Sequence, residues 1–442
     1  MAPGPEEEDI PTVQNADNPA GECAPLPLRN AEVLAPMVRA CTSPLRWEAL
    51  RYGADLVWGE EIIDRKIIGA QRVENPDFGT IDYVSPREQV TVFSTKPFER
   101  NKVIFQIGTA DGQLASQAAL TIQKDVRGVD VNMGCPKSFS VKGGMGAALL
   151  EKPEVASDIL KTLRRNLPST SSVTCKIRML ATTEKTREFM RICEASGAEA
   201  ITVHVRLRDE RPAEPAHWQE IAKLWDAVKV PVLANGDFFT RRQIDEFWKT
   251  MRTSIPQDSE EILNPSNSLW RGPSGIMIAR GALWNPSIFC KTSEPPGFED
   301  VVRKYTEAAV SANCSYQNTK WVLSQMLAGG IGVTPPSSFG GVQMKLFNRQ
   351  TSATKSMAGI CGMVKLDFEA SKWPKGAHTT GYYKVGAGAA LLPKVATDEE
   401  AKSAPMAEAQ TETGSGKREN EAEDGGPAKR TRLSAPDEPI ET

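Results

Sequence analysis

Eight short apolar runs recur through the middle of this 442-residue chain, and they constrain its fold more than any other feature. They are Val33–Met37, Ala54–Trp58, Val103–Ile107, Val129–Val131, Val173–Ile177, Ala200–Val205, Val230–Ala234 and Gly275–Ala279. Each is nearly continuous in apolar residues rather than alternating, the mark of strands buried on both faces. Helical patterns lie between most of them, as in Ala115–Lys124, Glu154–Asn166, Glu184–Ala195 and His217–Ala227. Eight strand–helix units in about 250 residues predict an α/β fold, a (β/α)8 TIM barrel. A doubly wound sheet is the competitor, but it wants a GxGxxG turn after its first strand, and VLAPMVRACTSP has none.

Around that core the chain divides into four parts. Residues 1–30 form an acidic segment and 31–297 the barrel. A small helical domain follows over 298–385, where Val301, Tyr305, Ala308 and Ala312 recur at helical spacing, then Val322, Leu323, Met326 and Leu327. Residues 386–442 are expected to be a disordered tail, too poor in apolar side chains to offset the entropy of ordering. Polar, Pro-rich sequence near 250–272 reads as a surface insertion, and 330–350 as a lengthened connection in the helical domain.

Charge narrows the choice of partner. Six acids and one Arg lie in 1–30, and twelve acids and seven bases in 391–442, so with a net charge of −3 the body between carries +7. A basic body between acidic ends suits a polyanionic partner. No apolar run approaches the roughly 18 residues of a membrane helix. The opening MAPGPEEEDIPTVQNADNPAGE lacks a basic and apolar leader, which excludes a secretory signal and argues against a mitochondrial one. Eight cysteines without a CxxC pair exclude a disulfide scaffold, a zinc ribbon and a ferredoxin-like cluster, and no metal is expected. The protein is expected in the cytoplasm, the nucleus or both.

In such barrels chemistry sits where the strands end. The ends here offer Pro36, Met37 and Val38; Gln106; Asn132 through Lys137; Lys176 and Arg178; His204 and Arg206; Asn235, Gly236 and Asp237; and Ala279, Arg280 and Gly281. Polar groups closing six of eight strands are hard to explain as packing. NGD and ARG after the last two strands suit a phosphate group, with glycines for close approach and Arg280 for charge. Lys176, in VTCKIRM among apolar neighbours, must meet an anion or a carbonyl dipole. Cys135, in NMGCPK just past a strand, is a nucleophile, a proton donor or a turn residue; with no histidine nearby in sequence, acid–base work is preferred.

LAPMVRACTSPLR, FQIGT, DVNMGCPKSFSVKGGMGAALL, CKIR, ITVHVR, VLANGD and MIARGALWNPSIF closely resemble the tRNA-dihydrouridine synthase family. The resemblance covers about 31–330 and extends through YQNTKWVLSQML. NMGCPK with GGMGAALL and QNTK looks like the second of four eukaryotic types, the branch that modifies uridine 20 of the tRNA D-loop. The resemblance implies FMN in the barrel, NADPH or NADH as reductant, and a tRNA uridine as substrate. It assigns Pro36, Met37, Val38, Gln106, Lys176, His204, Asn235, Gly236, Asp237, Ala279 and Arg280 to FMN and makes Cys135 catalytic. Hydride from flavin N5 to C6 of uracil, with a proton from Cys135 to C5, is the implied reaction. The base must then leave its stack. Asn132, Lys137, Lys142, Arg178 and Arg206, taken to lie at the site mouth, are candidates for substrate contacts.

Animal members of that branch carry a double-stranded-RNA-binding domain that this sequence lacks, so the likeness is to fungal forms. A small-molecule pyrimidine flavin oxidoreductase, like dihydroorotate dehydrogenase, is the rival; its cysteine loop typically reads NLSCP and it lacks a helical domain. In the tail, Lys417-Arg418 and Lys429-Arg430-Thr431-Arg432 have the spacing of a bipartite nuclear localisation signal, so 417–432 is read as a site for an import receptor.

Overall fold

A computed structural model describes residues 25–366 apart from 212, 256–269, 293 and 329–340. Segment 1–24, most of the expected insertion near 250–272, and the tail signal at 417–432 lie outside the described residues.

All eight expected strands are present: β1 (Ala31–Leu34), β2 (Leu56–Trp58), β7 (Val103–Gly108), β8 (Gly128–Met133), β9 (Ser172–Met179), β10 (Ala200–Leu207), β11 (Val232–Asn235) and β12 (Gly275–Ile278). Each pairs in parallel with the next, and β12 returns to β1, closing an eight-stranded TIM barrel. Alternation along the strands divides the side chains. Val33, Leu56, Trp58, Ile104, Leu233 and Met277 form one buried cluster that fills the barrel's interior. Leu34, Val57, Phe105, Val131, Ile177 and Val203 face outward into the larger cluster shared with the helices.

Those helices include α1 (Ser43–Arg51), α3 (Gly112–Ile122), α5 (Pro153–Asn166), α6 (Thr183–Ala195) and α8 (Arg241–Ser254). Their starts are set locally. The Asp111 carboxylate accepts the Leu114 N–H, Thr182 accepts that of Lys185, Thr240 and Gln243 form a reciprocal capping box, and Pro153 opens α5. The helix expected over His217–Ala227 shrinks to α7 (Trp218–Ile221) and a single 3-10 turn at Trp225–Ala227.

Between β2 and β7 stand β3 (Ile62–Ile63), α2 (Asp64–Ile67) and an antiparallel sheet of β4 (Gln71–Asn75), β5 (Thr80–Val84) and β6 (Thr91–Thr95). This sheet has no counterpart in the sequence reading. It rests on the first helix through a buried cluster: Arg46 Nε and Nη2 donate to Glu99 Oε2 and Oε1 (2.9 and 2.8 Å), Arg46 Nη2 also donates to the Ser94 carbonyl (2.7 Å), and Trp47 Nε1 donates to Glu99 Oε1 (2.9 Å).

After the barrel come α9 (Arg280–Trp284), α10 (Phe298–Ser311), α11 (Tyr316–Ala328), α12 (Gly341–Ala353) and α13 (Met357–Met363). The connection expected over 330–350 is therefore helix from Gly341 on, with Phe347 and Thr351 buried one turn apart on its inner face. Helix α10 packs on α1, and α11 on α9 and α12. The Arg39 guanidinium lies 4.8 Å from the Trp321 ring centroid, Asn318 donates to Thr42 Oγ1 (3.4 Å), and Lys320 donates to the carbonyls of Ser352 and Thr354. The Asn and Lys of the QNTK segment thus hold the helical region to the barrel and to itself.

Candidate active site

Toward the C-terminal ends of the strands the barrel's interior turns polar. Strand register sets Gln106 beside Asp130, Asp130 beside Thr174, Asn132 beside Lys176, Lys176 beside Thr202, and His204 beside Asn235. The fully buried Asp130 carboxylate accepts from Gln106 Nε2 (2.7 Å) and Thr174 Oγ1 (2.6 Å), and burial pushes it above the usual carboxylate range. Asn235 Nδ2 donates to the Met277 carbonyl (2.7 Å).

Lys176 projects into this layer. Its side chain is half-buried by area, yet enough protein covers the ammonium for burial, followed by repulsion from Arg178, to pull its pKa to about 8. Among the described residues its ammonium has no hydrogen bond and no ion pair. His204 is held well below the usual histidine range, by burial first and then by Lys176, Arg178, Arg206 and Arg280. Its imidazole is therefore neutral at pH 7. Arg206 Nη1 lies 3.2 Å from His204 Nε2. Because a guanidinium has no acceptor, Nε2 accepts and the ring proton is assigned to Nδ1.

The loops after β11 and β12 meet over His204, Arg206, Asn235, Gly236, Asp237, Met277, Ala279 and Arg280, with Phe238 and Phe239, around one pocket. Asp237 organises it from a positive φ of 55°. Its carboxylate takes Arg206 Nη2 on both oxygens (2.7 and 2.5 Å), Arg280 Nη2 (3.0 Å) and the Ala216 N–H (2.8 Å). Two guanidinium groups on one carboxylate leave one positive charge uncompensated at the pocket, and the Arg280 guanidinium also lies 4.9 Å from the Phe239 ring centroid. Exchanging Asp237 for Asn should leave two crowded cations. We expect a loss of about 2–4 kcal/mol, read from urea unfolding at neutral pH and smaller in high salt.

Across the barrel, the β8 strand ends in the Cys135 loop. Asn132 Oδ1 accepts the backbone N–H of both Gly134 and Cys135 (3.0 Å each), which turns the chain sharply. The Cys135 carbonyl accepts from Ala147 N–H (3.0 Å). Gly146 closes the loop at φ 58°, where a Cβ would stand 2.7 Å from the Cys135 carbonyl oxygen. The half-buried Cys135 thiol is pushed upward by burial, then by the charge of Glu61. It is a thiol at neutral pH, fit to give a proton rather than to attack as a thiolate. Four other cysteines, at 175, 193, 314 and 361, are buried, and Cys41 donates its thiol to the Ala35 carbonyl (3.0 Å).

The other expected residues are distributed as follows. Pro36, Met37 and Val38 form the loop after β1, with Val38 exposed. Lys137 precedes α4 (Ser138–Lys142) and Lys142 ends it; both are exposed, as is Phe139 between them. Arg178 and Arg206, expected on mouth loops, belong instead to β9 and β10, which run further than their apolar runs suggest. Arg178 donates to the Leu207 and Glu210 carbonyls (3.0 and 3.1 Å), and Arg206 is buried under Asp237. Glu61 was not foreseen. Sequence shows only an acidic pair, GEEIID, in a loop, and neither glutamate stands out from a solvated turn. Among the described residues no group of three or more His, Cys, Asp or Glu could hold a metal ion, and no helix is long and apolar enough to cross a membrane.

Comparison with known proteins places the chain in a family. A family profile described as Dihydrouridine synthase (Dus) matches residues 33–328. A Schizosaccharomyces pombe protein named tRNA-dihydrouridine(20) synthase (NAD(P)+) is 36% identical over 309 residues, 68% of this chain and 60% of that protein. A Saccharomyces cerevisiae protein of the same name is 38% identical over 316 residues, 67% of this chain and 77% of its own. A Schizosaccharomyces pombe tRNA-dihydrouridine(20a/20b) synthase is 28% identical over 317 residues. This chain thus spans three fifths of the first relative's length.

Proposed function

The chain belongs to the dihydrouridine synthase family, and from that premise we propose that it reduces the C5=C6 bond of uridine 20 in the D-loop of tRNA, using FMN and NADPH or NADH. The observation that carries this reading is that one barrel brings together a protonated Cys135 thiol and a Lys176 ammonium that has no hydrogen bond or ion pair among the described residues. The greater identity to the two uridine-20 relatives than to the 20a/20b relative supports the position.

The residues fit a flavin mononucleotide. Among the described residues the Lys176 ammonium has no ion pair, His204 lies within its electrostatic reach with Asn235 beside His204, and Arg206, Asp237 and Arg280 leave an excess positive charge at the pocket. A phosphate would sit on those loops and the electron-rich edge of the ring system on Lys176. Gln106 and Pro36 to Val38 would line the ring, and Ala279 would admit the phosphate. Bound there, the flavin supplies the two electrons and the hydrogen delivered to C6. The protein's part is to exclude water, orient the base and hold one proton on Cys135 Sγ until C5 takes it. Asn132, Lys137, Lys142, Arg178 and Arg206 are proposed to hold the base or its flanking phosphates, and the basic body to grip tRNA by its backbone.

The Lys176 pKa fixes a pH dependence. An ammonium that must be charged to hold an anion serves fully below about pH 8. Above that value each pH unit should weaken flavin binding up to tenfold, until the higher pKa of the bound complex is reached. Flavin retained after gel filtration across the pH series checks this. Constant retention above that pH would remove Lys176 from the cofactor site.

The functional reading is tested by mapping dihydrouridine on unmodified tRNA incubated with the full chain, FMN and NADPH. A gain of about two mass units at uridine 20 alone is expected, one hydrogen each at C5 and C6. Reduction of free uracil or orotate without tRNA would replace this reading by the small-molecule one. The import reading of 417–432 is proposed separately; a reporter fused to 400–442 that stayed out of the nucleus would end it.

A further inference from the structure

Glu61 lies between β2 and β3, outside every motif the sequence brought forward. Its neighbour Glu60 is tied down by the Arg39 backbone N–H (2.8 Å). Glu61 is not. Its carboxyl faces the Asn132 amide and the Cys135 thiol, and burial, ahead of both contacts, lifts it above the usual carboxylate range. The buried Oε1 has no hydrogen-bond partner of normal geometry among the described residues. Room for it comes from Gly108 at the end of β7, where a Cβ would stand 2.7 Å from that oxygen. A buried, unpaired carboxyl oxygen is costly and needs a use.

The charges around Cys135 supply that use. Lys137 on its own loop and Lys176 and Arg178 on β9 all act on the thiol, and cations favour the thiolate. Glu61, from a third segment, is the counter-charge. We propose that Glu61 is a positioning residue that keeps the proton on the Cys135 sulfur, so that the thiol meets its substrate as an acid. In the step itself the S–H bond breaks, a C–H bond forms at C5, and the electron pair of the broken bond stays on sulfur. The thiolate then recovers a proton from solvent.

This inference rests on Cys135 being the acid, and its test does not depend on turnover. Alkylation of Cys135 by iodoacetamide is followed across pH on the full-length protein, by mass spectrometry of the Cys135 peptide. Only the thiolate reacts, so the midpoint of the rate profile reports the thiol's ionisation. In Glu61→Gln the midpoint should fall by about one pH unit, so that at a fixed pH below both midpoints labelling is about tenfold faster. Glu61→Asp keeps the charge but draws it back by one methylene, and should shift the midpoint in the same direction by less. Loss of packing alone would not grade with charge in this way. A Glu61→Gln profile that superimposes on the wild type, or moves to higher pH, overturns the proposal. A lowered midpoint in a protein that makes no dihydrouridine would sink the functional reading and leave the positioning role standing.

Discussion

Cys135→Ala should keep its flavin and lose turnover by about a hundred- to ten-thousand-fold, the range that a positioned general acid contributes. Cys135 does not line the pocket at the β11 and β12 loops, and among the described residues no hydrogen bond joins its thiol to Lys176, so flavin content, read from the visible spectrum of the purified protein, should match the wild type. Electrons can still reach C6 of the base, but nothing placed at the other face delivers a proton to C5. The loop itself should survive, because its turn is held by backbone groups: Asn132 Oδ1 takes two N–H donors and the Cys135 carbonyl takes Ala147. A single-turnover measurement with flavin reduced beforehand isolates the step from reductant binding. Wild-type rates there would remove the thiol from the reaction.

The largest effect on stability is expected at Glu99. Its carboxylate is fully buried and binds the Arg46 guanidinium through both oxygens, with Trp47 Nε1 on the same side. Glu99→Ala leaves a buried guanidinium without its counter-charge, and we expect a loss of about 3–5 kcal/mol, seen as a lower urea midpoint. Removing both charges is a different experiment. Arg46→Met with Glu99→Leu fills the same space with apolar atoms, and its stability should come back to within about 1–2 kcal/mol of the wild type. If the double replacement were as damaging as the single one, the bidentate geometry would be contributing more than charge balance.

Much of this architecture is legible because a parallel barrel writes itself into sequence. Strands buried on both faces must be apolar throughout, so VIFQI, VTCKI and AITVHV stand out from the helices around them. The same logic exposes Gln106, Lys176 and His204, polar residues that interrupt those runs and face inward. The β4–β6 sheet is harder to see. QRVEN and TVFST mix apolar and polar residues over only five positions each, a period too short to separate from loop. Arg178 and Arg206 look like mouth residues because apolar sequence stops before them, yet hydrogen bonding carries β9 and β10 onward. Glu61 is invisible for another reason. Its neighbours in space, Cys135 and Asn132, lie more than seventy positions away, and only closure of the barrel brings them together.

Closure has a further consequence, for the order in which the chain is made. Ala31 pairs with Gly275, so the first strand's partner on one side is synthesised roughly 240 residues later. At about 5–20 residues per second, the nascent first strand waits on the order of 10–50 s with that edge open. Helix α1 meets α10 only after that. An incomplete chain therefore carries an unpaired edge and an uncovered apolar helix face for most of its time on the ribosome. Messages truncated before β12 should yield aggregates rather than partial barrels, and chaperone capture of ribosome-bound chains should end when Ile278 and the helices beyond it emerge.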